Sequence, residues 1–257
     1  MKYISKEYRR RFKELLQPLG FIRYKKAFFR VQNDMIQGVV FITHETTCNL
    51  DIILMPLASG ILENTFKHGT LLSLSDFSSI PTWYLKVIDR DEEKGGLIYD
   101  KDIDDTVLDE MVELMESSLL PMFEYVNCSE MAYKAVVGKV GVGKAEFNVI
   151  KSNESILAAM YGNIDILYRN LEKKIAQSEK SFASNVEQHQ QFKERFGYEA
   201  SRHHSAYVEK KTAEIKTLKN MRDLFIAGKV DKNYYKLELE KNIVFSKETL
   251  AKCGWEF

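Results

Sequence analysis

No proline follows Pro121, although the chain runs on to Phe257. Over that stretch Glu, Lys, Ala, Leu and Gln dominate, the residue types that give up least on entering a helix. The second half is therefore expected to be helical, and with 13 glycines and four prolines in the whole sequence there is little material for flexible linkers. Asn153 or Ser155 can cap a helix that carries Met160, Ile164, Leu167, Leu171 and Ile175 at spacings of three and four. Between Ser178 and Ser205 apolar residues thin to Phe182, Val186, Phe192, Phe196 and Tyr198, the pattern of a solvated helix or a helix-loop connection. Ile215, Leu218, Met221 and Phe225 form a further stripe that Gly228 closes, and Asp231 reads as the N-cap of a last helix bearing Tyr235, Leu237 and Leu239. These helices must cover either a sheet or each other.

The first half reads differently. Ile4, Tyr8, Phe12, Leu15, Leu16 and Leu19 lie on one face of a helix that Gly20 ends. Phe21 to Val31 is an aromatic strand, Gln32-Asn33-Asp34 a tight turn, and Met35 to Thr43 a β-branched partner strand. Cys48, Leu50, Ile52 and Leu54 alternate with Asn49, Asp51, Ile53 and Met55, which suits a third strand covered on one face fully and on the other mostly. Leu71 to Phe77, Trp83 to Ile88 and Leu97 to Tyr99 are further short strand candidates. Asp104-Asp105-Thr106 offers caps to a helix striped by Val107, Leu108, Met111, Leu114, Met115 and Leu119, which Pro121 should kink or end. Strands that follow one another without intervening helices pair antiparallel, so the fold class is α+β: an N-terminal helix and a meander sheet over 1–135, then a largely helical region over 136–257, packed on the first or separate from it.

At 45% hydrophobic and 29% charged residues, 257 residues can bury a core without disulfides or metal. With 37 basic and 37 acidic side chains, no global field draws the chain to nucleic acid or an anionic membrane, so any such preference must be local. The opening residues lack the apolar core of a secretion signal, and the run from Ile52 to Ala58 is far too short to span a bilayer. Cys48, Cys128 and Cys253 are odd in number and outside any CxxC pattern. A cytoplasmic setting is the expectation, with no membrane partner.

Gly138 to Ala145 satisfies the G-x-x-x-x-G-K part of a phosphate loop but has Ala145 where a hydroxyl must bind magnesium, and a strand-like run, Glu146 to Ile150, follows where a helix should start; a glycine turn is the simpler reading. Asp100, Asp102 and Asp104 have the opening spacing of a calcium loop, yet Asp105 and Met111 replace its glycine and its glutamate, so they read as helix caps on an acidic edge with Asp89, Asp91, Glu92 and Glu93. Glu199 and His203 share a helix face, with His204 and His189 as further ligand candidates, in a segment too polar to hold ligands rigid. No nucleophile motif occurs. The remaining cluster is basic: Arg9, Arg10, Arg11, Arg23, Lys25, Lys26 and Arg30, interleaved with Tyr8, Phe12, Tyr24, Phe28 and Phe29. It suits an acidic protein partner or, less well, nucleic acid, whereas solvated outer faces explain most of it.

Leu16-Gln17-Pro18-Leu19-Gly20-Phe21, Phe28-Phe29-Arg30, and Ile36-Gln37 ahead of Val39 to Ile42 together resemble the bacterial domain-of-unknown-function family numbered 4304, over about the first half of the chain. The resemblance implies that family's fold and a bacterial cytosolic setting, and it carries over no catalytic residue. Leu218 to Leu239 is also similar to small C-terminal helical hairpins of bacterial proteins.

The functional expectation is a non-enzymatic interaction module engaging a protein partner or a second copy, with an immunity or antitoxin-type role as one concrete form. No catalytic residue, cofactor or metal is assigned. The opposing class is a small-molecule or nucleotide-handling enzyme with a cleft in which Asp51, His44 and Glu45 converge beside Tyr24 or Trp83; the third is nucleic-acid binding through the N-terminal basic residues.

Overall fold

The structure, a computed structural model, describes residues 2–43, 47–60, 97–98, 106–138, 154–197 and 202–257. They form two compact units, residues 1–160 with 236–257, and residues 161–235. The fold is α+β, as expected.

In the first unit, helix α1 (Lys2–Leu16) presents Tyr8, Phe12 and Leu16 to the core. A 3-10 turn over Gln17–Leu19 follows, and Gly20 closes it at φ 82, a left-handed conformation that suits glycine. Because Pro18 tightens that turn, Leu19 departs from the expected stripe and is exposed. The sheet is a meander, β1 (Ile22–Tyr24), β2 (Ala27–Gln32), β3 (Met35–Thr43), β4 (Thr47–Pro56) and β5 (Leu97–Ile98), each strand antiparallel to its neighbours. The aromatic run after Gly20 is thus two strands, folded back at Lys25-Lys26, where Lys25 takes φ 54. That turn has no glycine or asparagine to announce it. The next turn, Asn33-Asp34, lies where expected, with Asn33 at φ 53.

Alternation along the strands builds two cores. Phe28, Met35, Val39, Phe41, Leu50 and Leu54 face α1 and the helices that follow the sheet. Ala27, Phe29, Ile36, Val40, Ile53 and Met55 face the other way. Helix α2 (Thr106–Leu114) buries Leu108 and Met111, then widens into a π stretch over Met115–Leu119 and continues as α3 (Leu120–Tyr125). Pro121 is therefore accommodated inside a continuing helix, because the widened turn just before it relieves the clash with the preceding carbonyls. Helices α4 (Ser129–Gly138) and α5 (Glu154–Met160) complete this layer with Ala132, Ala135, Val136 and Leu157. On the opposite face lies α8 (Lys236–Lys252), with Leu250 and Cys253 in the second core and Ser246 Oγ donating to the Leu57 carbonyl at 2.7 Å.

Side chains of β2 and β3 tie the sheet to the helices. Gln37, wholly buried, donates from Nε2 to the Phe123 and Val126 carbonyls (2.6 and 3.1 Å), two acceptors that the end of α3 leaves unpaired. Arg30 donates to Gln37 Oε1 at 2.8 Å, to the Leu19 carbonyl at 3.0 Å and to Glu124 at 2.5 Å, its guanidinium 4.7 Å from the Phe21 ring centre. In the turn, Asp34 accepts from the Ser129 backbone N–H at 2.8 Å and from the Ser129 hydroxyl, capping α4 from far along the chain.

The second unit is a helical hairpin of α6 (Ile164–Phe196, 33 residues) and α7 (Arg202–Ile226, 25 residues). The stripe expected to run unbroken through Met160 and Ile164 is interrupted at Gly162 (φ 64), and Asn163 Oδ1 caps α6 by accepting from Ile166 N–H at 3.1 Å. On α6, Ile164, Leu171, Ser178, Asn185 and Phe192, and Tyr168, Ile175, Phe182, His189 and Phe196, each recur every seven residues. This seam meets α7 at Tyr168–Phe225, Ser178–Glu214 and His189–His204, an antiparallel register. It is mostly buried up to Ser178; beyond it Phe182, Asn185 and His189 are half-buried, and Phe192 and Phe196 are exposed at its end. Asp231 does not cap a helix: it organises a turn, accepting from Asn233 N–H, and α8 begins only at Lys236 with Leu237 exposed.

Candidate functional site

The basic residues grouped by the sequence are dispersed by the fold. Arg10 is held between Glu7 (2.9 Å) and Glu14 (3.0 Å), and its hydrogen bond holds the Glu7 carboxyl below the usual range. Arg11 pairs with Asp109 of α2 and lies 3.9 Å from Glu7. Arg30 is committed to the network beneath α3. The Lys25 ammonium sits 4.5 Å from the Tyr24 ring centre, and Arg9 and Lys26 are exposed. The hollow between α1 and α2 is accordingly an ion-pair seam lined by Arg10, Arg11, Glu14, Asp109, Glu113 and Glu116.

Arg23 stands apart from these. It lies on β1 opposite Phe28, so both side chains point to the α1 side of the sheet. There the flank of α1 and the edge strand form a groove of about 480 Å³, lined by Lys13, Gln17, Gly20, Phe21, Ile22, Arg23 and Phe28. Lys13 and Gln17 are one helical turn apart, each one residue past a core position, Phe12 and Leu16. They rise on one wall, Arg23 on the other, and buried Phe21 and Phe28 make the floor. Among the described residues no acidic side chain lines the groove, and neither Lys13 nor Arg23 is paired with a carboxylate. Its size lies within the range of sites that hold a small ligand or a few residues of peptide. Among the described residues, none that lines it carries a carboxylate, imidazole or thiol.

Lys13 was missed at the sequence level. Its signal is faint: a basic residue one position beyond an apolar stripe is the ordinary state of a helix flank.

The other sequence candidates are placed as follows. Gly138 is the last residue of α4, and Lys139–Ala145 lie outside the described residues, as do Asp89, Asp91, Glu92, Glu93, Asp100, Asp102, Asp104 and Asp105. His44, Glu45, Trp83 and Glu199 lie outside them too, as do the strand candidates Leu71 to Phe77 and Trp83 to Ile88. Asp51 is on β4. His189 and His204 meet across the hairpin with ring centres 3.6 Å apart; burial, then the neighbouring His189, pushes the His204 imidazole below its ordinary value. Among the described residues no group of three or more His, Cys, Asp or Glu is gathered to hold a metal ion, and no helix is long and apolar enough to cross a membrane. Cys253 is buried and Cys128 half-buried, both as free thiols. Comparisons of the chain with protein-family models, with curated proteins and with solved structures found no match.

Proposed function

We propose that this protein is an interaction module that binds an acidic segment of a partner protein in the groove between α1 and β1. The observation that carries this reading is the placement of two cations, Lys13 and Arg23, on one groove with no carboxylate among its described lining residues, over an apolar aromatic floor. Arg10, Arg11, Arg30 and Lys25, by contrast, are spent on internal ion pairs or ring contacts. Two uncompensated charges steer and select an acidic partner, and the apolar floor supplies burial that charge alone does not. Neutralising such a partner, in the manner of an immunity protein or an antitoxin, is one form this takes.

The test compares two baits in a native lysate: the wild-type chain and the Lys13→Glu/Arg23→Glu double variant. Both positions are on the outer flanks of the groove, so the variant should keep the wild-type circular dichroism spectrum and melting temperature. A protein retained in stoichiometric amount by the wild type and lost from the variant is the expected result. Equal retention by both, or recovery of nucleic acid or a small molecule in place of a protein, overturns the reading.

A further inference from the structure

Resting on that reading, we infer that the partner segment binds as an added β-strand along the outer edge of β1, with its acidic residue opposite Arg23. β1 ends the sheet, with β2 on its inner side and no described strand on its outer side. The direction of its backbone groups follows from the hairpin. Tyr24 and Ala27 flank the two-residue turn and form a hydrogen-bonded pair; Arg23 with Phe28 is then a non-bonded pair, and Ile22 with Phe29 is bonded again. The neighbouring strand gives the same phase. The Lys26 carbonyl accepts from Phe41 N–H at 3.1 Å, so residues 26, 28 and 30 bond towards β3 and Ala27 and Phe29 towards β1. The N–H and C=O of Arg23 therefore point away from the sheet, as one donor and one acceptor on an open edge.

An incoming extended residue can exchange both hydrogen bonds with Arg23. Cross-strand partners share a face, so its side chain projects to the α1 side, into the groove. A carboxylate there lies between the Arg23 guanidinium and the Lys13 ammonium. Residues two positions away project to the same side, where Phe21 and Phe28 favour an apolar side chain. The ligand class is thus a short extended peptide with an acidic residue and, two positions from it, an apolar one. β1 is only three residues long, and Phe21 N–H is already taken by the Leu16 carbonyl at 3.2 Å, so Arg23 supplies the backbone exchange by itself. Affinity should then depend on side chains and backbone together.

The experiment is selection from a display library of random eight-residue peptides against the whole chain, followed by an N-methyl scan of an enriched peptide by fluorescence anisotropy. The expected outcome is enrichment of the acidic-x-apolar pattern, a loss of about tenfold or more with Lys13→Glu/Arg23→Glu, and a comparable loss on N-methylation at one position, the acidic residue itself. A peptide that is sensitive to charge reversal yet tolerates N-methylation at every position overturns strand addition and leaves the interaction reading intact. Failure to enrich any peptide, or enrichment indifferent to the double variant, overturns both.

Discussion

Replacing Gln37 by Met keeps the volume and flexibility of the side chain while removing its polar end. In the wild type that end makes three hydrogen bonds, to the carbonyls of Phe123 and Val126 and from Arg30 Nε, at a position with no solvent exposure. Water cannot reach the site to replace them. The two carbonyls belong to the end of a helix and have no intrahelical partner, so the substitution strands two buried acceptors as well as one guanidinium N–H. Arg30 keeps its bonds to Leu19 and Glu124 and is slightly exposed, so its share is small. Each stranded buried acceptor costs about 1–3 kcal/mol, which puts the loss near 3 kcal/mol in all. In a chain of this size that lowers the melting temperature by roughly 10 °C. Denaturant unfolding of Gln37→Met, Arg30→Met and the double variant measures both the loss and the coupling, which should exceed about 1 kcal/mol for directly bonded side chains. A loss for Gln37→Met below about 0.5 kcal/mol, the level of an ordinary surface change, would refute the reasoning that the sheet closes the end of α3.

Gly38→Ala should also be severe: its Cβ would lie 2.5 Å from the Phe28 carbonyl oxygen and 2.9 Å from Phe29 Cβ, backbone-anchored atoms in a central strand, and a cost of about 3 kcal/mol is expected by urea denaturation, with a wild-type midpoint contradicting the close approach. Asp34→Ala removes the cap on α4 and should cost about 1 kcal/mol, visible as faster amide exchange at residues 129–133; unchanged exchange there would show that the cap is not used. The His189–His204 contact carries a pH dependence. Because the His204 value is lowered in the folded chain, the unfolded chain binds the extra proton, so stability is full above about pH 6.5, the unfolded value, and declines as pH falls below it. Amide exchange around residues 185–192 and 204–208, corrected for its intrinsic pH dependence, should quicken between pH 7.5 and 5.5, and His189→Ala should flatten that response. At Leu218, buried in the α6–α7 seam, truncation to Ala should lower stability by about 2–3 kcal/mol, and a helical signal that melts as in the wild type would count against the seam.

Periodicity located the elements because burial on a helix or strand face leaves a repeat that survives in one dimension. α1, the β2–β3 turn, β4, the stripe of α2 and the hairpin helices were all legible for that reason. What was not legible were features set by backbone conformation or by partners far along the chain. The turn at Lys25-Lys26 uses a positive φ at lysine, where no residue type signals it, and Gly162-Asn163 interrupts an apolar spacing that continues across the break. Gln37 and Arg30 read as strand polarity, yet their hydrogen bonds reach residues 86 and 94 positions away. Asp34 read as a turn residue and is in addition the cap of a helix 95 positions on.

The candidate groove depends on the same unsignalled turn. Had the aromatic segment been one strand from Phe21 to Val31, Arg23 would stand in mid-strand among Lys25, Lys26 and Arg30 as one more solvated cation. The fold-back at Lys25-Lys26 makes Ile22–Tyr24 a separate edge strand, sets Arg23 across from Phe28 and brings it to the flank of α1. The basic residues that looked alike in sequence are thereby sorted by what surrounds them. Arg10, Arg11 and Arg30 meet carboxylates that offset their charge, two of them more than 90 positions away; Arg23 shares its groove with Lys13, and among the described residues no carboxylate lines it. Charge composition cannot make that distinction, since it depends on the three-dimensional placement of acidic groups as much as on the basic ones. Lys13 and Arg23, both exposed on one groove, would be offset together by an anionic group, so the proposed binding depends on them and not on the larger cluster.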